Sequence, residues 1–328
     1  MALQKIVVLG TGGTIAGTAA SATDSRNYRA AQKGVGELLS GLPAPAGHAL
    51  LHEQVVQIDS KDMDRPVWQL LLQRCQHWLA QADVQGLVIT HGTDTLEETA
   101  CLLQAVLAPL KPVVLTCAMR PATAIDADGP QNLMDALAVA AWPGARGVVA
   151  VCAGRIHGAW DVQKVHTWRL DAYGSGDAGA IGQVREGQLT LWRDWPHTPR
   201  LLPAAAVAHI LGAPAWPRVE IVLSHGAACA ATVEALLDDG LAARLGAAPV
   251  RGLVLAGTGG GTVHQALEGA LLRAQAAGVR VWRSSRCVAG TLRARDDDRF
   301  ELAPVSTPVK ARLLLMLDLL AAEGGGAR

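Results

Sequence analysis

A chain of 328 residues exceeds what one average core holds and reads as two domains or one large α/β unit. Lysine and arginine number 29 against 29 acidic residues, a formal charge of zero with no basic stripe, which excludes nucleic acid and anionic membranes and leaves a small molecule as partner. Half of the residues are hydrophobic, yet no run approaches membrane-spanning length and the six scattered cysteines form no CxxC pair, so a transmembrane segment, a disulfide framework and a zinc site are all excluded.

Met1 leads straight into an apolar strand over 6–9, too short for the core of a signal peptide and cut off by glycines. With Cys75, Cys101, Cys117, Cys152, Cys229 and Cys287 lying mostly in apolar runs, free thiols in a cytoplasmic protein are expected. Gly10-Thr11-Gly12-Gly13-Thr14-Ile15-Ala16-Gly17 follows, and glycine at this density lets the backbone turn sharply and approach a ligand closely. It is no dinucleotide loop, because GxGxxG begun at Gly10 needs glycine where Ile15 stands, and no P-loop, because no Gly-Lys-Ser/Thr follows. The loop therefore presents Thr14. Residues 18–32 are polar and aperiodic with one aromatic, Tyr28, which fits a mobile lid or an ordinary surface loop.

A strand over 55–58 runs into Asp59-Ser60-Lys61-Asp62 ahead of a helix over 66–82; Ser60 and Asp62 are N-cap residue types. The next strand, 86–90, stops at His91-Gly92-Thr93-Asp94-Thr95, where a helix starts. Loops leaving the carboxyl ends of parallel strands line the ligand crevice, so Thr93 and Asp94 stand where a site belongs. The same residue types would also serve merely as caps. A fourth strand, 112–116, ends in Cys117-Ala118-Met119-Arg120-Pro121; Asp128 reads as a cap and loop organiser for a helix to about 141; a fifth strand spans 147–153. Strand-turn-helix units with non-alternating apolar strands give a parallel sheet covered on both faces.

After a hairpin arm over 187–195, proline-punctuated residues 196–217 read as a linker. This gives an N-terminal, flavodoxin-like parallel-sheet domain (1–195) and a smaller C-terminal α/β domain (218–328). In the latter, strands are expected over 219–223, 252–255 and 279–282, helices over 230–239, 263–277 and 310–322, and a frayed tail over 324–328.

A threonine hydroxyl is a poor nucleophile unless a proton acceptor lies within hydrogen-bond reach. Thr14 has Tyr28 near it in sequence, while Thr93 has Asp94 beside it and Lys164 further on. A lysine serves such a set when partly desolvated, because burial lowers an ammonium's pKa while a neighbouring carboxylate raises it. On spacing alone Lys164 reads as a solvated surface lysine. His91 reads as structural, and His157 and His225 have no metal-binding spacing, so neither metal nor organic cofactor is expected.

Thr11-Gly12-Gly13-Thr14-Ile15-Ala16-Gly17 and Ile89-Thr90-His91-Gly92-Thr93-Asp94-Thr95-Leu96-Glu97-Glu98-Thr99 make the chain similar to the bacterial-type L-asparaginases of the asparaginase/glutaminase family. Asp59-Ser60-Lys61-Asp62-Met63, Ala118-Met119-Arg120-Pro121, Asp128-Gly129-Pro130-Gln131-Asn132, Asp161-Val162-Gln163-Lys164 and Arg283-Ser284-Ser285-Arg286 extend the resemblance over nearly the whole chain. It implies a homotetramer built from dimers that hydrolyses L-asparagine to L-aspartate and ammonia through a threonine acyl-enzyme. The alternatives are a broader glutaminase-asparaginase or an inactive amino-acid sensor on the same fold.

Carried over, Thr14 is the nucleophile assisted by Tyr28, and Thr93, Lys164 and Asp94 form a second triad. Ser60 and Asp94 hold the substrate's carboxylate and ammonium, and the Ala118 backbone faces the side-chain amide. Lys61 stands where many relatives have a glutamine at the substrate, and Thr262 where many have an asparagine. Asp296, Asp297 and Asp298 are either the acidic partner of Tyr28 across an interface or a solvated charge run.

Overall fold

The computed structural model describes residues 3–198, 201–305 and 307–325, and the chain divides into two compact units, Met1–Leu201 and Leu202–Arg328. The first runs β1 (Gln4–Gly12), β2 (Thr18–Ala19), β3 (Tyr28–Arg29), α1 (Val35–Leu39), β4 (His48–Ile58), α2 (Arg65–Leu79), β5 (Val84–Thr90) and α3 (Leu96–Leu107). It continues with β6 (Pro112–Thr116), α4 (Gly129–Ala141), β7 (Gly147–Cys152), β8 (Arg155–Gly158), β9 (Gln163–Lys164), β10 (Tyr173–Gly174), β11 (Gly182–Arg185) and β12 (Gln188–Leu191).

Eight of these strands form one sheet in the order β12-β11-β8-β7-β6-β5-β1-β4. Its five parallel members, β4, β1, β5, β6 and β7, lie in the order second, first, third, fourth, fifth, which is the flavodoxin-like arrangement. Winding reverses between β1 and β5. Ile6, Val8, Val88, Val114, Val149 and Val151 pack one face of the sheet against Leu133, Ala136 and Leu137 of α4, and successive residues turn to the opposite face. Both faces are dry, which is why these strands read as continuous apolar runs.

The expected all-parallel sheet holds for those five strands and fails beyond β7. Ala153 and Gly154 both take positive φ (49° and 71°), a two-residue turn that sends β8 back antiparallel, and β11 and β12 follow antiparallel through a second such turn at Glu186 and Gly187 (52° and 73°). The strand expected over 55–58 begins at His48, because β4 is an edge strand whose half-exposed residues carry no apolar run.

The second unit runs α5 (Ala204–Gly212), β13 (Arg218–Leu223), α6 (Ala231–Leu237), α7 (Asp239–Arg244), β14 (Val250–Gly257), α8 (Gln265–Ala276), β15 (Arg280–Ser285), β16 (Glu301–Leu302) and α9 (Pro308–Gly325). Its four strands are all parallel, in chain order. Four expectations change here. The stretch 196–217 holds α5, whose buried Ala206 and Ile210 have helical i, i+4 spacing, and its residues 199 and 200 lie outside the described residues. Asp238 ends α6 and caps α7 by accepting from Leu241 N–H, splitting the helix expected over 230–239. β16 follows β15 as the last parallel strand, and Gly324 lies within α9, while 326–328 of the expected tail lie outside the described residues. Among the described residues no helix is long and apolar enough to cross a membrane.

Candidate active site

In a doubly wound sheet the ligand crevice opens at the carboxyl ends of the two strands where winding reverses. Those strands are β1 and β5, and the loops leaving them carry Thr14 and Thr93. Both loops are held down from within: Thr11 Oγ1 donates to Thr90 O at 2.9 Å, and Gly13 N–H to Ile58 O at 2.9 Å. Gly13 (φ 80°) then lies directly on Gly92, so that a Cβ at 13 would overlap the Gly92 backbone. Gly92 in turn abuts Ser60, where a Cβ would fall 2.7 Å from Ser60 Cβ. Three turns that are far apart in sequence pack this closely because two of them present glycine at the contact.

Thr14, buried in the single 3-10 turn Thr14–Ala16, shares a 2.7 Å hydrogen bond with the Tyr28 hydroxyl. Tyr28 comes from the β2–β3 hairpin, which spans the segment expected as a lid. That segment is tied to the loop after β6: Ala19 N–H donates to Thr123 Oγ1 (2.8 Å), Ala122 N–H to Gly17 O (2.9 Å) and Ile125 N–H to Ala22 O (2.9 Å).

Thr93 and Asp94 do not cap α3. Thr95 holds the N-cap position and spends its hydroxyl on Ser60 O at 2.8 Å. Lys164 Nζ instead donates to Thr93 Oγ1 (2.8 Å) and to Asp94 Oδ1 (2.7 Å), and its side chain is only 20% exposed. The solvated-lysine reading is thereby corrected: β9 turns the side chain inward onto the loop that precedes α3. Ser60, buried, accepts from Asp94 N–H at 3.1 Å, which orients the carboxylate.

Lys61 points onto its own turn, at 2.6 Å from Asp62 and 3.4 Å from Asp59, and the hydrogen bond to Asp62 holds its ammonium above the ordinary lysine range. Ala118 is fully buried, in a peptide stretch braced by α4: Asp128 accepts from Met119 and Arg120 N–H (both 2.9 Å), and Asn132 Nδ2 donates to Cys117 O (2.9 Å). Asp128 thus organises the loop although it gives its own helix no side-chain cap bond.

His91 is structural, as its strand-end position indicates. Its buried ring donates from Nδ1 to Gly92 O (2.8 Å) and accepts at Nε2 from Thr99, whose oxygen accepts Trp68 Nε1–H, each at 3.0 Å. This relay fixes the neutral tautomer and the carbonyl next to Thr93. Burial pushes the ionisation of His91 down to about 4. The unfolded chain, with an ordinary histidine, therefore binds one proton more than the fold between pH 6.5 and 4. The associated stability is complete above pH 6.5 and is lost as pH falls through that window, in total roughly 3 kcal/mol. An NMR titration is expected to show His91 neutral down to about pH 4; protonation near 6.5 would contradict the relay.

Several residues escaped a reading of the sequence. Glu97 Oε2 accepts the Lys164 backbone N–H at 2.6 Å. The buried Tyr173 donates to Thr93 O at 2.6 Å, and burial keeps its phenol well above the ordinary range, hence a donor. Glu97 had a signal, as an acidic residue on the buried side of a helix's first turn; Tyr173 had none. In the second unit, Asp298 is no solvated residue but accepts from Arg283 at 2.5 Å and from Arg295 N–H at 2.8 Å, while Thr262 is absorbed in a turn with Thr258, their hydroxyls 2.8 Å apart. Among the described residues no three histidine, cysteine or acidic side chains could hold a metal.

The family model "Asparaginase, N-terminal" matches residues 5–197, and "Glutaminase/Asparaginase C-terminal domain" matches 218–324. A glutaminase-asparaginase of Pseudomonas fluorescens biotype A is 36% identical over 326 residues, covering 97% of this chain and 86% of that protein. L-asparaginase 2 of Escherichia coli K12 is 36% identical over 328 residues, covering 97% and 90%. The crystal structure of a probable cytoplasmic L-asparaginase from Campylobacter jejuni superposes with a TM-score of 0.85 at 33% identity, over 96% of this chain and 95% of that one. Matched across both units in sequence and in fold, and with the two threonine loops brought together at the winding reversal, the chain belongs to the asparaginase/glutaminase family.

Proposed function

We propose that the protein hydrolyses L-asparagine to L-aspartate and ammonia through an ester on Thr14. The observation that carries this is the backbone contact of Gly13 with Gly92, which brings a Thr14–Tyr28 pair and a Thr93–Asp94–Lys164 set to one rim of one sheet. Thr14 Oγ1 attacks the side-chain amide carbon while its proton passes through the Tyr28 hydroxyl to the amide nitrogen, and the carbon–nitrogen bond breaks to release ammonia. Water then adds to the ester carbon, its proton passing through the Thr93–Lys164–Asp94 set to Thr14 Oγ1 as the ester bond breaks and aspartate leaves. Dividing one hard acyl transfer into two easier ones is the gain of covalent catalysis. Asp128 and Asn132 brace the buried Ala118 peptide, so the backbone that would face the substrate's amide is held in place before the substrate arrives.

In this scheme Ser60 and Asp94 hold the substrate's carboxylate and ammonium, and no metal or organic cofactor takes part. The active protein is a homotetramer built from dimers, which sedimentation analysis checks. It works in the cytoplasm, a placement supported by its six free cysteines, four of them buried. Purified protein is expected to release ammonia from asparagine, with glutamine as the second substrate; release from neither overturns the reading.

Lys61 bears on how tightly either substrate is held. Even paired with Asp59 and Asp62, a cation beside Ser60 disfavours an ammonium group. Lys61→Gln is expected to lower the KM for both amides. Unchanged KM values for both would remove Lys61 from the substrate site.

A further inference from the structure

Lys164 is carried by a ribbon of two two-residue strands, β9 and β10, separate from the main sheet. So short a ribbon has no stability of its own, and the lysine is only as well placed as whatever the ribbon is tied to. Two ties are present. Glu97 Oε2 accepts the Lys164 N–H at 2.6 Å, and Tyr173, directly across the ribbon from Lys164, donates to Thr93 O at 2.6 Å. Both end on the strand-turn-helix unit that presents Thr93 and Asp94, so the lysine's backbone is anchored to the very segment its ammonium reaches.

We propose that Glu97 is a positioning residue, holding the Lys164 backbone so that Nζ meets Thr93 Oγ1 and Asp94 Oδ1; the catalytic meaning of this rests on the amidohydrolase reading above. Glu97 is suited to the task. It lies in the first turn of α3, where the helix dipole favours a carboxylate, and it is buried. A carboxylate accepting a backbone N–H makes a bond about twice as strong as a neutral one. The lysine stem has four rotatable bonds, and fixing its base confines the ammonium to the few rotamers that reach Thr93. Glu97 needs no contact with substrate to do this.

The test compares Glu97→Ala, which leaves the Lys164 N–H without this acceptor, with Glu97→Gln, whose amide oxygen still accepts it. The first readout is acetylation of Lys164 by acetic anhydride, followed by peptide mass spectrometry, which does not depend on any hydrolytic activity. Glu97→Ala is expected to acetylate Lys164 at least about tenfold faster than wild type, in proportion to the population of the loosened ribbon, while Glu97→Gln stays near wild type. The second readout is asparagine hydrolysis. Glu97→Ala is expected to lose about 100-fold in kcat with KM unchanged, the scale of an ångström-sized misplacement, and Glu97→Gln to restore most of it.

Wild-type labelling and wild-type kcat in folded Glu97→Ala overturn the proposal, as does an equal loss in both variants. Should the alanine variant not fold, Glu97→Asp, which keeps the charge but withdraws it from the N–H by one methylene, carries the same test: unchanged labelling there overturns the proposal. If wild type itself hydrolyses neither amide, the functional reading fails, while the labelling result still decides whether Glu97 holds Lys164.

Discussion

Thr14→Ala is expected to release ammonia from asparagine on the order of 10⁴-fold more slowly than wild type, with KM and thermal midpoint little changed. The substitution removes one hydroxyl and one methyl from a buried turn and leaves Tyr28 without its 2.7 Å partner. Nothing else in the site relies on the Thr14 side chain: Gly13 and Gly17 fasten the turn through backbone bonds to Ile58 O and Thr14 O. The loss therefore falls on the chemical step. Rapid-quench mass spectrometry supplies the positive counterpart, an aspartyl ester on the peptide containing Thr14 in wild type and none in the variant. Ammonia release from both proteins no faster than from free asparagine, together with asparagine binding, would make the molecule an amino-acid sensor instead of an enzyme.

Gly13→Ala is expected to be among the most damaging single methyl additions, and it falls on the site itself. Two separate penalties meet there. At φ 80° an L side chain is strained, and the added carbon would overlap Gly92 Cα and N, which are backbone atoms of the opposing loop and have no rotamer by which to escape. The loops must part, so we expect a stability loss of about 3 kcal/mol or more by urea melting. Wherever folded protein persists, kcat is expected to fall by about 100-fold, because the loops carrying Thr14 and Thr93 are forced apart. Gly41→Ala separates the two penalties. Gly41 also has φ 80°, but nothing lies within 4 Å of its added carbon, so this variant should cost only about 1 kcal/mol and leave kcat unaltered. If Gly13→Ala behaved like Gly41→Ala, the contact between the loops would not matter to the site.

The difference between these two glycines also marks where sequence ceases to speak. The parallel strands were legible because a strand buried on both faces can only be apolar, and the loops presenting Thr14 and Thr93 were legible because each strand halts at a polar turn. β8 and the first part of β4 were not, since an antiparallel return and the half-exposed stretch of an edge strand leave no continuous apolar run. Thr93 and Asp94 looked equally fit for capping, and the choice was made by Lys164, about seventy residues away. Local pattern assigned that lysine to solvent, because its placement is written in Glu97 and Tyr173, neither adjacent to it. Asp298 was misjudged for the same reason: a run of three acids looks solvated until Arg283 is brought beside it. Resemblance to a family named Lys164, but only the fold supplies the physical cause.

The three bonds from Ala19, Ala122 and Ile125 that join the Tyr28 segment to the loop following β6 have one further implication. That loop is continuous with the stretch containing Ala118, so Tyr28 cannot swing away without tugging on the peptide that would face the scissile group. Any opening of the Tyr28 segment to admit a ligand would therefore also disturb the peptide on which alignment of the reacting bond depends.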